Sequence, residues 1–175
     1  MSTSAYPRPS SQEYHPYYRG YVELAPDGDI VASLEEQGQR LVARWRALPP
    51  EMHGYRYEKD KWSAAEVLGH IADTERLFSY RAMCFLRGVT EAQPGVDQDV
   101  MVPNSGADQR GIPSLVSEFE WQRRANVELF RGLSQAQGDR RGIASDAEIT
   151  VRALLFILYG HAEHHAAVLR ERYVP

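Results

Sequence analysis

Four segments of the chain carry apolar residues at the three-to-four spacing of a helix, and no segment of similar length shows the two-residue alternation of a half-buried strand. The first is capped by Asp27 or Asp29 and runs through Ile30, Leu34, Leu41 and Trp45 to Leu48, where Pro49 and Pro50 stop it. The second opens on Ser63-Ala-Ala-Glu66, a capping box with Trp62 and Val67 at the staple positions. It continues through Leu68, Ile71, Phe78 and Phe85 to Gly88. The third starts near Ser114 and buries Leu115, Phe119, Leu129 and Leu133. The fourth is capped by Thr150 and carries Val151, Leu154, Leu155, Leu158, Ala162, His165 and Leu169. Four such segments specify an all-α fold, a four-helix bundle in which sites are built from inward-facing side chains.

The connections differ in kind. Between Gly88 and Pro113 the chain is loop-like, broken by Pro94-Gly95, Pro103 and Gly106, and longer than an antiparallel turn needs, which predicts a long crossover between the second and third helices. Polar turns are expected from Gly138 to Asp146. Residues 1–26 hold five tyrosines and four prolines, too many breakers for a long helix. This stretch is read as an extended arm laid across a bundle domain of residues 27–175, with a partly disordered tail as the alternative reading.

A length of 175 residues suits one domain with a single core. The net charge of −4 gives no basic footprint for a nucleic-acid backbone. No apolar run approaches the ~20 residues of a membrane span, and the N-terminus lacks the apolar core of a signal peptide, so a cytoplasmic protein is expected. The lone Cys84 has no partner for an internal disulfide and reads as a small buried hydrophobe.

The chemistry concentrates in histidines on apolar faces. His161 and His165 stand about 40° apart on the helical wheel, flanked by Ile157, Leu158, Val168 and Leu169, so both face the core one turn apart and can converge on one ion. His70, at the edge of the apolar arc of the second helix, is the candidate third ligand. The bland alternative is a set of hydrogen-bonded neutral imidazoles, but apolar neighbours offer three of them few partners. The spacing is not that of a metalloprotease helix, since Ala162 stands where the catalytic Glu would be. His164 reads as a rim group, and His15 and His53 as surface residues. Asp73, Glu75 and Arg76 read as a solvated face. Glu66, Asp73, Asp97 and Asp99 are the candidate general bases for any hydrolytic chemistry.

The segments KWSAAEVLGHIADTERLFSYRA (61–82) and GHAEHHAAVLRERY (160–173), in this order and separation, resemble the DinB-like superfamily of metal-binding four-helix proteins, in particular its DinB_2 branch. The resemblance implies up-down-down-up topology, a divalent transition metal such as Zn or Ni on His70, His161 and His165, and homodimerisation, for which Leu86, Met83 and Val127 are candidate apolar contacts. It further implies a metal-dependent S-transferase that uses a low-molecular-weight thiol of the bacillithiol or mycothiol kind on a small electrophile. A metal-dependent hydrolase and a non-catalytic metal-binding stress protein are the alternatives. Ala167, at a position where related sulfoxide synthases carry a Glu ligand, disfavours that activity.

Overall fold

The computed structural model describes residues 6–173. The elements are α1 (Arg19–Leu24), α2 (Ile30–Arg46), α3 (Ala64–Leu86), α4 (Gln98–Met101), α5 (Ala107–Phe130), α6 (Gln135–Gly138), β1 (Arg141–Ala144), β2 (Ala147–Thr150) and α7 (Val151–Val168), with a widened last turn over Leu169–Tyr173. The long helices α2, α3, α5 and α7 form the bundle. The caps read from sequence operate: Asp29 accepts from the amides of Val31 and Ala32, Ser63 and Glu66 close a capping box, and Thr150 accepts from Ala153. No helix among the described residues is long and apolar enough to cross a membrane.

Side-chain contacts fix the topology. Ser63 meets Asp108 near the start of α3 and α5, and Glu75 meets Arg123 further along both, so these helices run parallel. Glu35 meets Arg131 while Arg46 meets Glu120, so α2 and α5 are antiparallel. Gln37 bonds the carbonyl of Tyr159 and Arg40 bonds Glu163, so α2 and α7 run parallel. Tyr173 donates to the carbonyl of Trp62, bringing the end of α7 to the start of α3. The result is up-down-down-up, as the resemblance implies.

The core falls into two apolar clusters, and every bundle helix passes from one to the other at a polar residue. The change comes at Gln37 in α2, at Thr74 and Glu75 in α3, at Arg123 and Asn126 in α5, and at His161 in α7. Glu75 and Arg123, both fully buried, form a two-point ion pair, with Nε to Oε2 at 3.2 Å and Nη2 to Oε1 at 2.5 Å. Arg123 Nη1 also donates to the Leu34 carbonyl and to Gln37 Oε1, and Asn126 donates to Glu75 Oε2.

Several sequence readings are corrected. Glu75 is not on a solvated face: its neighbours Asp73 and Arg76 point outward, but 3.6-residue geometry turns Glu75 to the centre of the bundle. The third helix begins at Ala107, with Gly111 (φ 72°, ψ 161°) breaking it before Pro113; the run from Ile112 onward is the segment that the periodicity detects. Leu133 lies past its end. The polar turns are a β-hairpin, Arg141–Ala144 paired antiparallel with Ala147–Thr150, whose turn residues Ser145 and Asp146 both have positive φ. Leu86 and Val127, offered as dimer contacts, are buried within the subunit, whereas Met83 is exposed.

The described part of the N-terminal arm is folded rather than extended; its first five residues lie outside the described region. Tyr17 and Tyr18 sit in a 3-10 turn that leads into α1, and Arg8 ties back to the carbonyls of Val22 and Ala25. Helix α1 packs on α7.

Removing one half of a buried ion pair leaves the other charge unpaired, at a cost of about 3–5 kcal/mol. Glu75→Leu and Arg123→Met should each lower unfolding stability by that order in urea titrations, and the double variant should lose less than the sum. Single variants within about 1 kcal/mol of the parent would show that the polar layer does not hold the helices.

Candidate metal centre

Three ring nitrogens, one each from His70, His161 and His165, lie within 4.8 Å of one another. His70 comes from the second turn of α3, and the other two from successive turns of α7, where the i,i+4 spacing stacks them on one face. His70 Nε2 and His161 Nε2 are 2.9 Å apart. Nitrogens bound about 2.1 Å from a common ion stand roughly 3.0 Å apart at a right angle and roughly 3.4 Å apart in a tetrahedron, so this pair is at the short end of the range for two ligands of one metal. Without an ion the contact requires one ring to donate its Nε2 proton to the other. With one, both rings present lone pairs to it.

The surroundings keep the rings neutral. Burial holds His70 down to about 4, and burial reinforced by its histidine neighbours holds His165 down to about 3. His161 is depressed well below the ordinary range, first by burial and then by the neighbouring His165, His70, His164 and Arg123. A neutral imidazole donor set without a carboxylate suits Zn, Ni, Cu or Fe and leaves the ion's full charge uncompensated. The donor set therefore fits a divalent transition metal.

Aromatic rings close the flanks. Trp62, read from the sequence only as a staple, packs 4.8 Å from the His70 ring and lies nearly parallel to His165 at 6.4 Å. Tyr21 meets His161 at 5.5 Å and His164 at 5.7 Å, both edge-on. Tyr21 reaches them because α1 lies directly against α7 at Gly160: a Cβ there would fall 1.8 Å from the Tyr21 carbonyl oxygen. Only glycine admits so close a backbone approach. His164 is exposed, as the wheel predicts, and Cys84 is buried away from the site.

Two clefts open on the triad. The larger, about 640 Å³, is lined by His70 and His161 together with Tyr17, Tyr18, Tyr21, Arg81 and the 95–99 loop. The smaller, about 330 Å³, is lined by His165, His164, Trp62, Tyr57 and Tyr173. Asp99 borders both. Of the other candidate bases, Glu66 is engaged by Ser63 and Arg56, and Asp73 faces Arg76. A further concavity of about 520 Å³, between α2 and α5, contains none of the histidines.

Because the folded-state imidazoles sit below the ordinary value of 6.5, the unfolded chain takes up protons that the folded chain refuses. Their contribution to stability is complete above about pH 6.5 and drains away as pH falls toward the folded values. Metal-free protein should lose at least about 2 kcal/mol of unfolding stability between pH 6.5 and 5 through these imidazoles. His70→Gln should flatten that slope, whereas a slope unaltered in the variant would place the acid sensitivity elsewhere.

The model of the DinB superfamily, DinB_2, matches residues 33–169, a span that includes all three histidines. Among solved structures, YfiT from Bacillus subtilis, described as a probable metal-dependent hydrolase with an unusual four-helix bundle topology, superposes with a TM-score of 0.72 at 18% identity. The match covers 95% of this chain and 91% of that one. At this identity the likeness speaks for the fold alone. No curated protein matches the chain. With the matched span taking in most of the chain and the bundle topology agreeing, the chain belongs to the DinB superfamily.

Proposed function

We propose that the protein is a divalent-metal-dependent transferase that joins a small thiol to an electrophilic compound, with His70, His161 and His165 as the metal ligands and Zn or Ni as the metal. One observation carries this reading: two clefts meet at the triad, one on the His70 and His161 side and one on the His165 side. A transfer between two organic substrates needs two binding regions that share a reacting point, whereas a hydrolase, whose second substrate is water, needs only one. The thiol itself comes from the family resemblance.

When bound, the ion supplies a Lewis acid beside which a sulfhydryl ionises near neutral pH. The chain's own groups do the rest. Trp62 and Tyr21 cover the flanks of the imidazoles, and the burial they add helps keep the rings neutral. Asp99, exposed at the border of both clefts, is the carboxylate we assign to take the thiol proton and pass it to solvent. The sulfur then bonds to the electrophilic carbon, and the leaving group departs with the electrons of the bond that breaks. The tyrosines of the N-terminal segment form a wall of the larger cleft and hold the organic substrate.

Hydrolysis is the second reading. It is supported by the description of YfiT and by the same Asp99, which would then serve water instead of a thiol.

The ligand set is tested first. His70→Ala, His161→Ala and His165→Ala should each lose stoichiometric metal by elemental analysis, while His164→Ala retains it. In cobalt-substituted protein a small thiol should then add a sulfur-to-metal charge-transfer band, and turnover should require thiol and electrophile together. A thiol-independent hydrolysis rate rising through neutral pH would replace the transferase reading by the hydrolase. A cobalt spectrum indifferent to thiols, with no turnover of either kind, would leave a binding protein.

A further inference from the structure

The molecule buries two arginines almost completely, and it treats them differently. Arg123 has its counter-charge in Glu75. Arg81, only 2% exposed, has none among the described residues. Its Nη2 donates to the Pro94 carbonyl at 2.6 Å and to Ser145 Oγ at 3.0 Å; the Phe78 ring lies 5.7 Å from its guanidinium carbon, and the Tyr18 phenol is beside it. All four neighbours are neutral. Arg81 Nε is sealed and has no acceptor. Burial without a carboxylate pulls the guanidinium below its ordinary pKa. A buried cation of this kind is costly unless something of opposite charge joins it.

Arg81 is also a wall of the larger cleft, the same cleft that opens on His70 and His161. His70, Thr74, Leu77 and Arg81 follow one another at four-, three- and four-residue steps, so they form a single stripe along α3 facing that space. Eleven residues separate the two ends, about 16 Å along the helix axis. Among the lining residues Arg81 is the only Arg or Lys, and Asp97 and Asp99 share the wall without pairing to it. Asp97 is occupied with the amide of Asp99. One planar guanidinium beside two carboxylates suits a singly charged carboxylate and disfavours a dianionic phosphate.

We propose that Arg81 is the carboxylate-binding end of the substrate cleft, so that the organic substrate is an elongated molecule with its reacting atom at the triad and a carboxylate some three helical turns away. The proposal rests on the triad as the reacting centre, and it adds the chemical class of the substrate. Pro94 and Ser145 hold the guanidinium from opposite elements, the crossover loop and the hairpin turn, so the cation is fixed before the ligand arrives.

The test uses cobalt-loaded full-length protein and two probe series, straight-chain ω-mercaptocarboxylates of increasing length and the matching ω-mercaptoalcohols, with affinity read from the sulfur-to-cobalt band. The acid should bind about tenfold or more tightly than its alcohol at the length that spans the cleft. Arg81→Gln should bring the acid down to the level of the alcohol, Arg81→Lys should keep part of the preference, and the surface control Arg131→Gln should keep all of it. A structural Arg81 would weaken both series alike and leave their ratio unchanged, which overturns the proposal. If no thiol gives a band, the thiol reading fails on its own, and Arg81 is then read by thermal shift. Straight-chain dicarboxylates should stabilise the parent more than the matching diols do, and should not stabilise Arg81→Gln. Equal shifts from acid and diol in the parent would overturn it.

Discussion

The Glu75–Arg123 pair sets the register of the bundle. Apolar surfaces are non-directional, and two helices packed only through leucines and phenylalanines can slide or rotate at modest cost. A two-point carboxylate–guanidinium contact cannot, because its geometry is planar and its loss leaves a buried charge. Arg123 fixes α5 against α3 through Glu75, and against α2 through the Leu34 carbonyl and Gln37. Gln37 passes the constraint to α7 through the Tyr159 carbonyl and Glu163. Tyr159 and Glu163 bracket His161, so the network that registers the bundle also fixes the height of the triad on α7.

The triad exploits that rigidity. Three imidazoles from two helices converge only if α3 and α7 keep their relative translation, and a slip of one residue on α7 would rotate both of its histidines by about 100°. Local packing then finishes the site. The cap at Ser63 starts α3 seven residues before His70 and holds Trp62 just outside the helix, where its ring covers His70 and His165. On the other side, the glycine at position 160 lets the backbone of α1 reach α7 and bring Tyr21 over His161. Burial from both sides keeps the rings neutral and available as ligands.

What was legible in the sequence follows from which signals are local. Helices α2, α3 and α7 announce themselves by their own caps and periodicity, and the convergence of His161 and His165 follows from i,i+4 geometry on one helix. The partnership with His70 needed the inference that α3 faces α7, which the wheel suggests and the family resemblance supports. Glu75 and Arg123 gave no such signal, since each sits among other charges and only the tertiary fold distinguishes it from its exposed neighbours. The hairpin was invisible because its strands are four residues long and its turn uses Ser145-Asp146 in place of a glycine-containing pair. Helix α1 is too short for periodicity to register, and the prolines before it mask it.

The topology explains why the site is open on the side where it is open. Because α3 and α5 are parallel, the chain leaving Leu86 must travel back along the whole of α3 before α5 can begin. Helix α3, with 23 residues, is about 34 Å long, a distance that roughly ten extended residues could span. The connection from Arg87 to Gly106 has about twice that many. The excess is gathered into the 94–104 region, whose short helix α4 and 3-10 turn set Asp97 and Asp99 along the cleft wall. In an up-down-up-down bundle a tight turn would join these two helices, and no chain would lie beside the His70 to Arg81 stripe. The parallel pair therefore forces a long return segment, and that segment, pinned to Arg81 through Pro94, turns an otherwise exposed face of α3 into a cleft that ends at His70 and His161.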